Sequence, residues 1–138
     1  MLNFEPINST KMTAARSMLV CARLSLHVGK RSIQKGLATA GVTALYDAVL
    51  FGMQYYIARH KACASFVKDA EFWDAASLFH ALARAGVFDD PRAFNRFSLM
   101  VERALWQGSS AFDADSTVAE VEMILKKLGI MPVNESTK

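Results

Sequence analysis

Leu37-Ala-Thr-Ala-Gly-Val-Thr-Ala-Leu-Tyr-Asp-Ala-Val-Leu-Phe-Gly-Met-Gln-Tyr-Tyr-Ile-Ala-Arg-His60 is the stretch on which the fold turns. Val42, Leu45, Val49, Gly52 and Tyr56 recur at alternating steps of three and four, the period of one helical face and not the two-residue period of a strand. Gly41, Ala44, Ala48 and Gly52 give the helix small positions where a neighbour can approach closely. Thr43, Asp47 and Gln54 gather on a more polar side. A second apolar row, Tyr46, Leu50, Met53 and Ile57, runs beside the first. One helix face needs a single row, and soluble monomers seldom expose large apolar patches. The surplus row therefore predicts a two-fold homodimer with Tyr46, Leu50, Met53 and Ile57 as its face.

Helical signals continue on both sides. Upstream, a first helix is read from Ser9 or Thr10 to Gly29, with Met12, Ala15, Leu19, Ala22 and Leu26 as its stripe and Gly29 as its C′ residue. Lys30 to Gly36 reads as a basic connector. Downstream, Lys61 to Lys68 reads as a break. Asp69 and Glu71 mark the start of a third helix running through Phe72 and Phe79 to Gly86. That helix is apolar nearly all round, which suggests a central place. A fourth helix starts at Asp90-Pro91, buries Phe94, Phe97, Val101, Ala104 and Leu105, and stops at Gly108. After a polar loop from Ser109 to Asp115, Thr117 and Glu120 have capping-box spacing for a fifth helix. Val118, Val121, Leu125 and Leu128 form its stripe, Glu122 and Lys126 an i,i+4 pair, and Gly129 its stop.

The expected architecture is thus all-α, an antiparallel four- to five-helix up-and-down bundle. It is one domain over 1–138, with its core at about 10–129 and a loose tail at 131–138. Composition agrees: 52% of the 138 residues are apolar, and three prolines and seven glycines are few for an all-β chain. Asp47, Gln54 and Arg59 interrupt the apolar runs before the roughly 20 residues that a membrane span needs. The amino terminus has no basic segment followed by an apolar one, so no secretory signal is expected and the expected location is cytoplasmic. Cys21 and Cys63 have no close-spaced partner and read as reduced packing residues.

Chemistry-bearing patterns are few. His27, His60 and His80 fall on three different helices without a carboxylate three residues before them, so no metal or cofactor is expected. No phosphate-cradling glycine loop and no nucleophile elbow is present. The charge is uneven. Residues 1–68 carry nine Lys or Arg against Glu5 and Asp47, whereas residues 69–138 carry seven against eleven acidic residues. Arg92, Arg96 and Arg103 share one helical face and, with Lys30, Arg31 and Lys35, make a candidate phosphate- or anion-binding surface for a nucleotide or nucleic acid. Asp89, Asp90 and Glu102 are placed to neutralise part of it.

Several of these segments together resemble the HEPN family. They are the alanine-rich first helix ending in glycine, the second helix with Leu45-Tyr46-Asp47-Ala48, the corner Ala81-Leu-Ala-Arg-Ala-Gly-Val-Phe-Asp-Asp90, and the long helix after it. The likeness covers roughly residues 10–128. It implies a small, generally dimeric helical bundle, often the partner or substrate-binding subunit of a minimal nucleotidyltransferase. Other family members are ribonucleases of toxin–antitoxin systems that carry Arg, four to six residues, then His near a late helix. This chain departs from that motif: Arg23 and His27 have only three residues between them, and no histidine follows His80. A non-enzymatic binding or interaction module is therefore the expected function. A divergent ribonuclease or other small enzyme, and a purely structural oligomerisation protein, stand as alternatives.

Overall fold

The computed structural model describes residues 7–60, 63, 67, 72–107 and 113–131. Among them are five helices: α1 (Ile7–Gln34), α2 (Ala38–Arg59), α3 (Ala75–Arg84), α4 (Ala93–Gln107) and α5 (Ala114–Lys127). The chain is an all-α helical bundle. The Asp69 and Glu71 start signal, most of the break after Lys61, the stop at Gly108, the loop at 109–112 and the tail from 132 lie outside the described residues.

α1 does not end at Gly29. It runs on to Gln34, because Gly29 serves packing and not termination. A Cβ there would lie 2.8 Å from Leu45 Cδ2 and 3.0 Å from the Gly41 carbonyl oxygen. The terminator is Gly36, at φ +81°. Its N–H donates to Ile33 O at 2.9 Å, and the Leu37 N–H donates to Ser32 O at 2.9 Å, the paired bonds of a Schellman closure. Gly86 and Gly129 close α3 and α5 in the same way, as their positions in the sequence predict.

With only residues 35–37 between them, α1 and α2 form an antiparallel hairpin. Ala15, Ala22 and Leu26 of α1 are buried, and Gly29 of α1 meets Gly41 and Leu45 of α2. The centre of the bundle is α2, not the third helix as its apolar composition suggested. α2 packs against each of the other four helices. That explains its two apolar rows: Val42, Leu45 and Val49 are fully buried, and so is Met53 of the second row. Leu45, Phe79, Phe97 and Leu125, each predicted from a different helical stripe, are all fully buried.

Other local expectations are revised. α3 starts at Ala75, with Asp74 in the N-cap position accepting a 2.6 Å bond from Ser77 Oγ. Leu105 is exposed on α4. The Thr117–Glu120 capping box does not form, because Asp113 caps α5 by accepting the Ser116 N–H at 3.0 Å. Thr117 is buried instead and returns its hydroxyl to Asp113 O. Gln54, expected on a polar side, is fully buried and donates to Phe72 O at 2.8 Å.

Candidate functional site

The extension of α1 past Gly29 contributes to a polar concavity. Arg23, His27, Lys30, Arg31 and Gln34 recur at helical steps on one side of α1, and Lys35 follows at its end. They line an open groove of about 570 Å³, with Leu26 and Met131 completing its walls. Two of the cations are held in place by the far end of the chain. Arg23 Nε donates to Ile130 O at 3.3 Å, and Lys30 Nζ pairs with Glu122 Oε2 of α5 at 2.8 Å. That pairing replaces the Glu122–Lys126 bridge expected within α5. His27, Arg31 and Lys35 are exposed, and Arg31 and Lys35 make no ion pair among the described residues.

Among the described residues, the groove thus sets four permanent cations against one ion-paired carboxylate, Glu122. Arg31 sits in the last turn of α1 and offsets the negative end of the helix dipole. One basic residue would serve that purpose, so the dipole accounts for part of the cluster only. An anion here would meet the Lys30 ammonium, already paired with Glu122, and the exposed cations of Arg31 and Lys35. Arg31 adds a planar fork suited to two oxygens of one phosphate.

The other basic set does not join this groove. Lys30 reaches Glu122 and Arg96 reaches Glu120, two residues earlier on α5. Two residues turn an α-helix by about 200°, so the sets lie on opposite sides of α5. Lys30, Arg31 and Lys35 therefore form one surface without Arg92, Arg96 or Arg103. Arg96 is committed to structure: Nε and Nη2 bond the two oxygens of Glu120 at 3.1 and 3.3 Å, and Nη1 pairs with Asp90 at 2.8 Å. The hydrogen bonds that Arg96 donates to Glu120 push its guanidinium above its ordinary pKa. Asp90 is held below the usual carboxylate range, first by the Arg92 backbone N–H and then by Arg96. Arg92 and Arg103 are exposed nearby.

The row expected to form a dimer face is largely covered by the chain itself. Met53 and Ile57 are buried and Leu50 is half-buried. Tyr46 packs its ring 6.0 Å from Phe97 and 6.3 Å from Phe94. Met53 and Ile57 belong to the core and Tyr46 and Leu50 are partly buried against it, on a helix that packs with α3, α4 and α5 as well as α1.

Sequence reasoning missed Arg23, His27 and Gln34. Their spacing with Lys30 was readable, but ending the helix at Gly29 hid the continuity of the face.

Nucleophilic chemistry finds little support. Burial pushes the Cys63 thiol up, away from the reactive thiolate. His60 stacks on Tyr56 with ring centroids 3.9 Å apart and directs Nδ1 to Tyr56 O at 2.9 Å. Among the described residues, no group of three or more His, Cys, Asp or Glu could hold a metal ion. No helix among them is long and apolar enough to cross a membrane. Compared with protein-family models, with curated proteins and with solved structures, the chain shows no match.

Proposed function

We propose that this chain is a non-enzymatic binding module that takes a phosphate-bearing ligand, a nucleotide or a nucleic-acid strand, in the groove along the C-terminal half of α1. One observation carries the reading: Arg23, Lys30, Arg31 and Lys35 converge with His27 on one open concavity. Its volume lies within the range of small-ligand sites, roughly 300–1,000 Å³. This role is the one the HEPN resemblance implies when the ribonuclease motif is missing. The same resemblance adds self-association and a nucleotidyltransferase partner to the proposal.

Fluorescence anisotropy of a labelled single-stranded RNA, and calorimetric titration with ATP, test the groove. The Arg31→Glu/Lys35→Glu double variant loses binding, while Arg103→Glu on the far side of α5 does not. A strand, unlike a mononucleotide, gives a steep salt dependence, with a slope of about −0.7 in log K per neutralised phosphate. Equal binding by the double variant and the parent chain would remove the proposal.

A further inference from the structure

Next to the groove, α1 carries a second surface of different character. Its inner side packs on α2, but Val20, Leu24 and Val28 point outward and remain 56%, 58% and 44% exposed. Single exposed aliphatic residues are ordinary. Three at successive four-residue steps form a continuous ridge about 12 Å long. Rows at this spacing are the ridges that interdigitate when two helices cross.

Charge narrows what covers the ridge. The 28 residues of α1 contain no Asp or Glu. Arg16 lies one turn before Val20, and His27 and Arg31 each lie three residues beyond a ridge member, so the flank on the groove side is basic. A second α1 laid along it would set like charges against each other, which disfavours pairing of two copies through this face. The ridge also lacks Trp and Tyr, the aromatic side chains enriched at a lipid interface. We infer that the outer face of α1 is a docking surface for one amphipathic helix of an acidic partner protein. The partner's apolar row packs against Val20, Leu24 and Val28, and its flanking carboxylates meet Arg16 and Arg31. The mode is a helix crossing over a ridge, with the basic flank setting orientation and on-rate.

A labelled, capped peptide helix with leucines on one face and glutamates on the others is the probe. The full chain binds it, and a lysine-for-glutamate version of the peptide does not bind. Leu24→Gln and Val28→Gln, which keep helix propensity and leave the groove residues in place, each weaken peptide binding at least tenfold with an unchanged helical circular-dichroism signal. RNA or ATP binding is unchanged in both variants, so failure here is separable from failure of the groove reading. Equal affinity for the two peptides, or no effect of Leu24→Gln, overturns the inference. So does Leu24-dependent sedimentation with phosphatidylserine vesicles, which makes the face a membrane surface. A Leu24-dependent doubling of mass at sedimentation equilibrium also overturns it, in favour of a second copy.

Discussion

Gly29 of α1 and Gly41 of α2 meet with their backbones almost touching. A Cβ on Gly29 would lie 3.0 Å from the Gly41 carbonyl oxygen, and one on Gly41 would lie 3.1 Å from that of Gly29. Neither carbonyl can retreat without moving a helix. The first hairpin is therefore closed by a pair of missing side chains.

Gly41→Ala tests this relationship. Alanine favours a helix over glycine by about 1 kcal/mol. Here, however, the new methyl would also meet Ile33 Cγ1 at 2.5 Å. Overpacking of that kind costs roughly 1–3 kcal/mol, so urea melts are expected to show net destabilisation. At Gly52 the nearest atoms are the side-chain ends of Leu125 and Leu128, at 3.0 and 3.2 Å. Gly52→Ala is therefore expected to cost less than Gly41→Ala. The reverse ranking would sink the close-approach argument.

The aromatic core gives a second expectation. Phe79 is fully buried, stacked on Phe88 with centroids 4.4 Å apart and tilted against Phe94 at 5.4 Å. Phe79→Ala should cost about 3–5 kcal/mol. Denaturant unfolding at unchanged slope checks it, and a loss below 1 kcal/mol would show that the site collapses around the missing ring.

The Arg96 clasp predicts a third. Glu120 is buried and receives two bonds from Arg96. Arg96→Met leaves that carboxylate without its cation, at a cost of about 1–3 kcal/mol. Adding Glu120→Gln to Arg96→Met is expected to recover part of the loss, which a double-mutant cycle measures. No coupling between the two would mean that the bridge contributes nothing.

Acid sensitivity follows from Asp89, Asp90 and Asp113. All three have folded-state pKa values below the ordinary carboxylate range. Asp89 is lowered chiefly by its hydrogen bond from Lys127, Asp90 by the Arg92 N–H, and Asp113 by the Ser116 N–H. A depressed carboxylate contributes stability that is fully present above its unfolded pKa. That contribution is lost as pH falls through the folded value. The melting temperature should therefore be flat near neutrality and decline below about pH 4. Asp113→Asn should lower the neutral melting temperature less than Asp113→Ala, because asparagine still caps, and should shallow the acid decline. An unchanged acid profile in Asp113→Asn would count against this assignment.

Much of the fold is legible in periodicity, because Leu45, Phe79, Phe97 and Leu125 each stand on a stripe that a helix must bury. Gly86 and Gly129 are equally legible as stops. Gly29 is not, since a glycine that ends a helix and one that admits a neighbour look alike until the neighbour is known. Gln54 misleads for a related reason: its partner, the Phe72 carbonyl, is 18 residues away and off the helix. The centrality of α2 was also hidden. Two apolar rows fit a dimer face or a helix packed against several neighbours equally well, and periodicity alone does not decide between them. In the candidate groove Lys30, Arg31 and Lys35 are visible as a basic run, whereas Arg23 and His27 join it only once α1 continues past Gly29.

The way α5 is tied down has a kinetic meaning. The α1–α2 hairpin closes over three residues, but the bonds Arg23–Ile130 and Lys30–Glu122 span 107 and 92 residues. Closing so long a segment carries an entropic cost that a folding nucleus avoids until other contacts have formed. The C-terminal helix should thus dock after the barrier and leave before it on the way out. Leu125→Ala should then chiefly accelerate unfolding, and Leu45→Ala chiefly slow refolding. Stopped-flow chevrons of the two variants would read that order directly, and protection from the irreversible loss of native protein would be won or lost at the seam of α5.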